Sequence, residues 1–239
     1  MTLVDHTLVS ISLEDDVRVW VIDVTKADAS ESIRLLSDEE RRRCERFAHA
    51  ELRHRYAAAH SALREILAQV VNEDSSGLQI CPLPCQTCGG PHGKPALVEP
   101  GGSAIEFNMS HAGDFAVVVT SKGRPVGIDV EQARPVDAVA LARRFFTREE
   151  HAFVASCPVH EQGLAFARLW TRKEAHLKAI GCGLPGGLTA ISVPGWTPLH
   201  VVERGAGGPY TITDLDFDDR HLGAVAVGRT PRLTGAEPS

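Results

Sequence analysis

The sequence predicts an α+β fold made of two halves, and three observations carry that prediction. Strand-like alternation and helix-like periodicity come in blocks (strands, a helical stretch, then strands), and that order is given twice. A length of 239 residues is long for one small domain and suits two compact halves. A content of 43% hydrophobic and 23% charged residues is that of a globular protein in water. The halves are expected over 1–110 and 111–239, dividing in the region Gly102 to Gly113.

Val17 to Val24 alternates Val17/Val19/Val21 against Arg18/Trp20/Ile22 and opens the first half as a strand. Ser37 with Glu40 forms a capping box that starts a helix. Glycine and proline are absent from Asp38 to Val71, but the apolar stripe is regular only from Tyr56 through Ala59, Leu63, Ile66, Leu67 and Val70. Two helices with a break near Ala48 to Ala50 are therefore expected. Asn72 to Gly102 is rich in turn residues. Zinc binding there would draw Cys81, Cys85, Cys88 and His92 from one short loop, so a plain cysteine-containing loop is the stronger expectation.

Ile105 to Met109 and Phe115 to Thr120 read as strands, and a turn over Ser121 to Pro125 leads into Gly127-Ile128-Asp129-Val130-Glu131. That strand puts Val126, Ile128 and Val130 on one face and Gly127, Asp129 and Glu131 on the other. Helices follow over Ala138 to Phe146 and Arg148 to Ala155, the second capped by Thr147. A longer helix from Gln162 to Ile180 ends at Gly181 and Gly183. A hairpin of Tyr210 to Asp216 and Leu222 to Val227 closes the second half, and Thr230 to Ser239 is expected as a loose tail.

Net charge is −6 and the isoelectric point near 6.0, which weighs against a general nucleic-acid binder. No apolar run approaches the roughly 20 residues of a membrane span, and the N-terminal stretch lacks a basic segment before an apolar one. A cytoplasmic protein whose six cysteines are thiols is the expectation. Any anion site must then be local, and Arg41, Arg42, Arg43, Arg46, Arg53, His54 and Arg55 supply a basic cluster.

The chemistry concentrates in Asp129 and Glu131 on the strand and in Glu174 and Lys178, which share a face of the long helix. Carboxylates about 7 Å apart along a strand repel unless a cation or donors intervene. An oxygen-only set suits a hard cation that bridges phosphate oxygens, most simply Mg²⁺. A solvated edge strand and an i,i+4 ion pair would give the same letters without a site.

Taken together, GIDVE over 127–131 and Trp170-x-x-Lys173-Glu174-Ala175-x-x-Lys178 resemble the signature of the phosphopantetheinyl transferases, of the larger monomeric type that activates peptide and polyketide synthases. Gly93-Lys94-Pro95, Phe107-Asn108-Met109-Ser110-His111 and Arg144-Phe145-Phe146-Thr147 fall in the order of that family. The resemblance implies two pseudo-symmetric α+β halves with the active site in the cleft between them. It implies transfer of the phosphopantetheine arm of coenzyme A to a serine of an apo carrier protein of a polyketide, peptide or fatty-acid synthase, leaving adenosine 3′,5′-bisphosphate. It assigns Asp129, Glu131 and Glu174 to Mg²⁺ (or Mn²⁺), Glu174 also to deprotonation of the serine, and Lys178 to the leaving phosphate. Ser110 and His111 are implied as coenzyme A phosphate contacts, and Arg43, Arg53, Arg55 and Lys94 as contacts in the region of the 3′-phosphate. Glu40 and His60 depart from the basic residue that relatives often carry near this cluster. An Mg²⁺-dependent phosphohydrolase and a non-catalytic coenzyme A or carrier binder are the rival readings.

Four further residues carry expectations. Lys173 falls inside the apolar stripe of the long helix, so it should meet a buried carboxylate. Gly127 should mark a close approach of backbone to ligand. Trp170 should pack. Of Phe145, Phe146 and Phe153, one should be core and another should lie near the carrier dock.

Overall fold

The computed structural model describes residues 8–14, 16–85, 88–91, 93–98, 104–182, 187–193, 199–202, 209–218 and 220–229. The first half begins with strands β1 (Leu8–Glu14) and β2 (Val17–Asp23), then helices α1 (Ala29–Leu35), α2 (Asp38–Glu45) and α3 (Ala50–Val71). Short strands β3 (Ile80–Pro82) and β4 (Pro95–Leu97) pair with each other, and β5 (Ile105–Ala112) and β6 (Phe115–Lys122) form a hairpin. The second half runs β7 (Val126–Gln132), α4 (Ala138–Phe145), α5 (Arg148–Ser156), α6 (Gln162–Ala179), β8 (Leu199–Val202), β9 (Tyr210–Asp216) and β10 (His221–Gly228).

Two antiparallel sheets result, ordered β1-β2-β6-β5 and β7-β10-β9-β8. Period-2 patterning lets each sheet serve two cores. Trp20, Ile22, Phe107 and Val118 face α3, where Ala59, Leu63 and Ile66 cover them. Tyr210, Ile212, Ala224 and Ala226 are covered by Leu169 and Leu177 of α6. The opposite faces meet each other: Val17, Val19, Val117 and Val119 pack with Val126, Ile128, Val130 and Val225. Each such large side chain contributes about 1.5–3 kcal/mol through burial.

Local signals hold where they are purely local. Ser37 and Thr147 both make complete capping boxes, with Glu40 and Glu150. The break between α2 and α3 falls at residues 46–49. Helix α6 ends as expected, with Gly181 at φ +74°. Strand β1, helix α1 and the short strands β3, β4 and β8 were not anticipated. Residues 230–239 lie outside the described residues, as do His92 and Gly183.

The division between halves needs correcting. A boundary at 110/111 would cut β5, and β6 pairs along its length with β2. The first sheet therefore ends at Lys122, and the halves divide at the turn of Gly123 to Pro125. Gly113, at φ +57°, sits in the β5–β6 hairpin and not in a linker. Among the described residues, no helix is long and apolar enough to cross a membrane.

Candidate active site in the cleft between the halves

Strand β7 and helix α6 are in direct backbone contact, and Gly127 is the reason. A Cβ there would lie 2.1 Å from the Ala175 carbonyl oxygen and 2.4 Å from the Ala179 nitrogen. The close approach read from this glycine is thus to a helix of the same chain and not to a ligand. It brings Glu174 and Lys178 of α6 over Asp129, two residues along the same face of β7.

Asp129 is the hub. Its Oδ1 accepts hydrogen bonds from Lys178 Nζ at 2.6 Å and from Ser110 Oγ of β5 at 2.8 Å. Lys178 Nζ also donates to Ser110 Oγ at 3.0 Å and to the Ile128 carbonyl at 3.2 Å. The i+4 geometry that offered Lys178 to Glu174 is used instead to pair Lys178 with Asp129. Next to this cluster, Ile128 N–H donates to the Asn108 side-chain oxygen at 3.2 Å, tying β7 to β5.

The three carboxylates disturb one another. Burial, then the negative charge of Asp129 and, further down, that of Glu131, pushes Glu174 up to about 7 against the opposing pull of Lys178. Burial also raises Asp129, though Lys178 and Ser110 counter it. Glu131 is raised by burial and by Asp129, and the charges of Lys178 and Arg134, with a hydrogen bond from Trp170, partly offset this. Asp129 Oδ2 and Glu174 Oε1 are buried and have no hydrogen-bond partner. Buried, mutually repelling carboxylate oxygens without donors are what a hard cation would satisfy, so the residues present fit one. They are not drawn into a shell: among the described residues no three His, Cys, Asp or Glu side chains stand as a ready ligand set. The same holds for the described cysteines of β3 and the loop after it, where Cys85 is buried and Cys81 and Cys88 are exposed.

A cavity of about 550 Å³ opens beside this cluster, lined from the first half by Glu40, His60, Lys94 and Phe107 and from the second by Glu174, Lys178 and Cys182. His111 is exposed at the end of β5. Partial desolvation, followed by the positive fields of His60, Lys178 and Arg43, holds its imidazole below the ordinary histidine value. Lys94 lines the cavity with its ammonium on Glu106 Oε2 at 2.5 Å. The guanidinium of Arg43 lies over the Tyr56 ring, 5.9 Å from its centroid.

Two basic residues are placed differently from expectation. Arg53 donates to the carbonyls of Phe47 at 2.7 Å and Ala48 at 3.3 Å, closing the chain between α2 and α3. Arg55 donates to the Gly113 carbonyl, to Asp114 at 2.7 Å and to Glu51 at 2.8 Å. Neither lines the cavity. Backbone carbonyls have no signature in a sequence, so a run of arginines reads as an anion site when part of it is a structural clamp.

Two carboxylates make long-range contacts that their place in the sequence does not disclose. Glu40, already the partner of Ser37 in a capping box, accepts from Arg64 Nε at 2.7 Å and contacts His60 Nδ1 at 3.3 Å. Burial opposes its ionisation, but the bonds from His60, the Ser37 N–H and Arg64 hold its pKa at about 2. Glu150, the partner of Thr147, takes Lys173 at 2.8 Å and the Val193 N–H at 2.8 Å. The carboxylate expected for Lys173 is therefore Glu150, joined by the Leu188 and Ile191 carbonyls. The capping boxes were the available signal for both, but a cap discloses only one of a carboxylate's contacts.

A second cavity, about 310 Å³, begins at Glu131 and is walled by Phe145, Phe166 and Trp170. Phe146 is core, stacked on Phe166 with centroids 4.9 Å apart, whereas Phe145 and Phe153 are half-buried. Trp170 packs edge-on to Phe145 at 5.7 Å.

Comparison with known proteins gives the same division of the chain. A family model described as the 4′-phosphopantetheinyl transferase superfamily matches residues 125–224, and one described as the N-terminal part of a 4′-phosphopantetheinyl transferase matches residues 23–123. The 4′-phosphopantetheinyl transferase HetI of a Nostoc species is 32% identical, over 90% of this chain and 89% of its own. The 4′-phosphopantetheinyl transferase psf-1 of Bacillus pumilus is 33% identical over 80% of this chain and 78% of its own. The 4′-phosphopantetheinyl transferase Sfp of Bacillus subtilis is 30% identical over 66% of each.

Proposed function

The chain belongs to the 4′-phosphopantetheinyl transferase superfamily and is a transferase of that type, and we propose that the cleft around Asp129 is where it moves phosphopantetheine from coenzyme A to a carrier-protein serine. The observation that carries this placement is the Asp129 hub. One buried carboxylate is held by Ser110 from the first half and Lys178 from the second, with its other oxygen unpartnered.

In this reading Asp129, Glu131 and Glu174 would hold Mg²⁺, with Mn²⁺ as an equivalent hard cation, and the ion when bound supplies charge neutralisation on the diphosphate. Glu174, with a proton affinity near neutrality, accepts the proton of the carrier serine as its oxygen attacks the phosphorus that bears the pantetheine arm. The phosphorus–oxygen bond to the adenylate side breaks, and Lys178 faces the charge that grows on the departing phosphate. Ser110 and His111, at the end of β5, contact the diphosphate oxygens, with Arg43 and His60 adding to the positive field there. The carrier, from a polyketide, peptide or fatty-acid synthase, docks over the groove of Phe145, Phe166 and Trp170, whose inner end is Glu131. The protein acts as a monomer in the cytoplasm.

The test is to incubate it with coenzyme A, Mg²⁺ and an apo carrier protein and weigh the carrier. A gain of one phosphopantetheine, lost with EDTA and restored by Mg²⁺, supports the reading. Hydrolysis of coenzyme A without carrier gain would favour a phosphohydrolase, and an unchanged carrier with intact coenzyme A a binding module.

A further inference from the structure

The tip of the β5–β6 hairpin is gripped from both halves. Ser110 and His111 lead directly into its turn, where Gly113 has φ +57°. From the first half, Arg55 of α3 donates to the Gly113 carbonyl and to Asp114 at 2.7 Å, and the Val24 N–H donates to the Asp114 carbonyl at 2.9 Å. From the second half comes His221, 2% exposed at the start of β10 and paired across the ladder with Gln132. Its Nδ1 lies 2.9 Å from both carboxylate oxygens of Asp218, which makes Nδ1 the protonated nitrogen. Its Nε2 is buried without a hydrogen-bond partner and is aimed at the hairpin. A Cβ on Gly113 would fall 2.7 Å from that nitrogen, and the Phe115 ring meets the imidazole edge-on at 4.9 Å.

No step of the proposed transfer uses this histidine. Resting on the coenzyme A reading above, we infer that His221 is a positioning residue: its ring is the second half's seat for the Gly113 turn, and through that turn it places Ser110 and His111 at the donor diphosphate. The β9–β10 turn does not need the imidazole, because Asp218 already accepts the backbone N–H groups of Arg220 and His221 at 2.7 Å each. What the bond from Nδ1 to Asp218 adds is a fixed ring orientation, with Nε2 against Gly113. A hairpin held by Arg55 alone would be registered only to its own half. His221 registers it to β10, three residues from Ala224, the ladder partner of Asp129. Glycine at 113 lets backbone approach the ring this closely.

The experiment uses His221→Asn, whose amide can still donate to Asp218 but is too short to reach Gly113. With carrier mass as the readout, KM for coenzyme A should rise about tenfold while KM for the carrier stays within about twofold. Unchanged kinetics, or equal rises in both KM values, overturn the inference. Gly113→Ala drives a methyl group into the ring and should raise KM for coenzyme A as well. In the His221→Asn background that effect should shrink at least about threefold, since the strain of alanine at positive φ is common to both backgrounds and cancels. Additive effects overturn the contact. The Cε1 proton resonance of His111, assigned with His111→Gln, should shift in His221→Asn without any substrate present, and an unmoved resonance also overturns the inference. Wild-type protein that adds nothing to the carrier would sink the transferase reading, and the His111 resonance would then decide on its own whether His221 positions the hairpin.

Discussion

Gly127→Ala isolates the contact on which the candidate site is built. The added methyl carbon would sit 2.1 Å from the Ala175 carbonyl and 2.4 Å from the Ala179 nitrogen, both backbone atoms of α6 that no side-chain rotation can move. Ordinary contact begins at about 3.4 Å, so α6 must lift off β7 by about 1 Å or more. Overpacking of this kind costs about 1–3 kcal/mol of stability. The larger effect should be chemical, because Glu174 and Lys178 ride on α6 while Asp129 stays on β7. A displacement of about 1 Å at reacting groups costs on the order of a hundredfold in rate. The assay is carrier phosphopantetheinylation at saturating coenzyme A together with a urea melt. Gly77→Ala, outside both cavities and with its nearest atom, the Asp74 carbonyl oxygen, at an ordinary 3.5 Å, serves as control and should leave both readouts near wild type. Wild-type rate and stability in Gly127→Ala would refute the claim that backbone contact between β7 and α6 sets the site.

Three further outcomes are expected. Asp129→Ala and Glu174→Ala should each lower transfer at least about a hundredfold in folded protein, checked by circular dichroism and carrier mass. His176 is fully buried with both ring nitrogens unpartnered, and burial lowers its pKa from 6.5 to about 4. Since the unfolded chain takes up this proton first, the stability is fully present above pH 6.5 and falls as pH drops toward 4, by about 3 kcal/mol. Urea melts should show that slope in the wild type and a flatter one in His176→Leu, and parallel curves would contradict it. Phe145→Ala should raise KM for the carrier and leave KM for coenzyme A unchanged, whereas equal shifts would move the dock elsewhere.

The legibility of this chain followed the range of each interaction. Alternation over Val126 to Glu131 and the i+4 spacing of Glu174 and Lys178 are local, and both survive in β7 and α6. The partner of Lys178 was not local: it lies 49 residues away across an inter-element contact that a one-dimensional pattern does not record. Sheet order was hidden for the same reason. The pairing of β6 with β2 joins segments separated by most of the first half, so the region Gly102 to Gly113 reads as the end of that half although its sheet runs on to Lys122. Arg53 and Arg55 show a third limit, since charge is visible in a sequence but the carbonyls that absorb it are not.

The two sheets share no backbone ladder among the described residues. Beyond their common apolar core, they are stitched beside the cleft by side chains: Asn108 to the Ile128 amide, and Ser110 with Lys178 to Asp129. Valine faces slide past one another at little cost, whereas a hydrogen bond between strands β5 and β7 tolerates almost no slip. Asp129 therefore works as a dowel that fixes how one half is seated on the other. A single carboxylate would couple the seating of the two halves to the readiness of the site, and neither half could assemble the cluster without its neighbour.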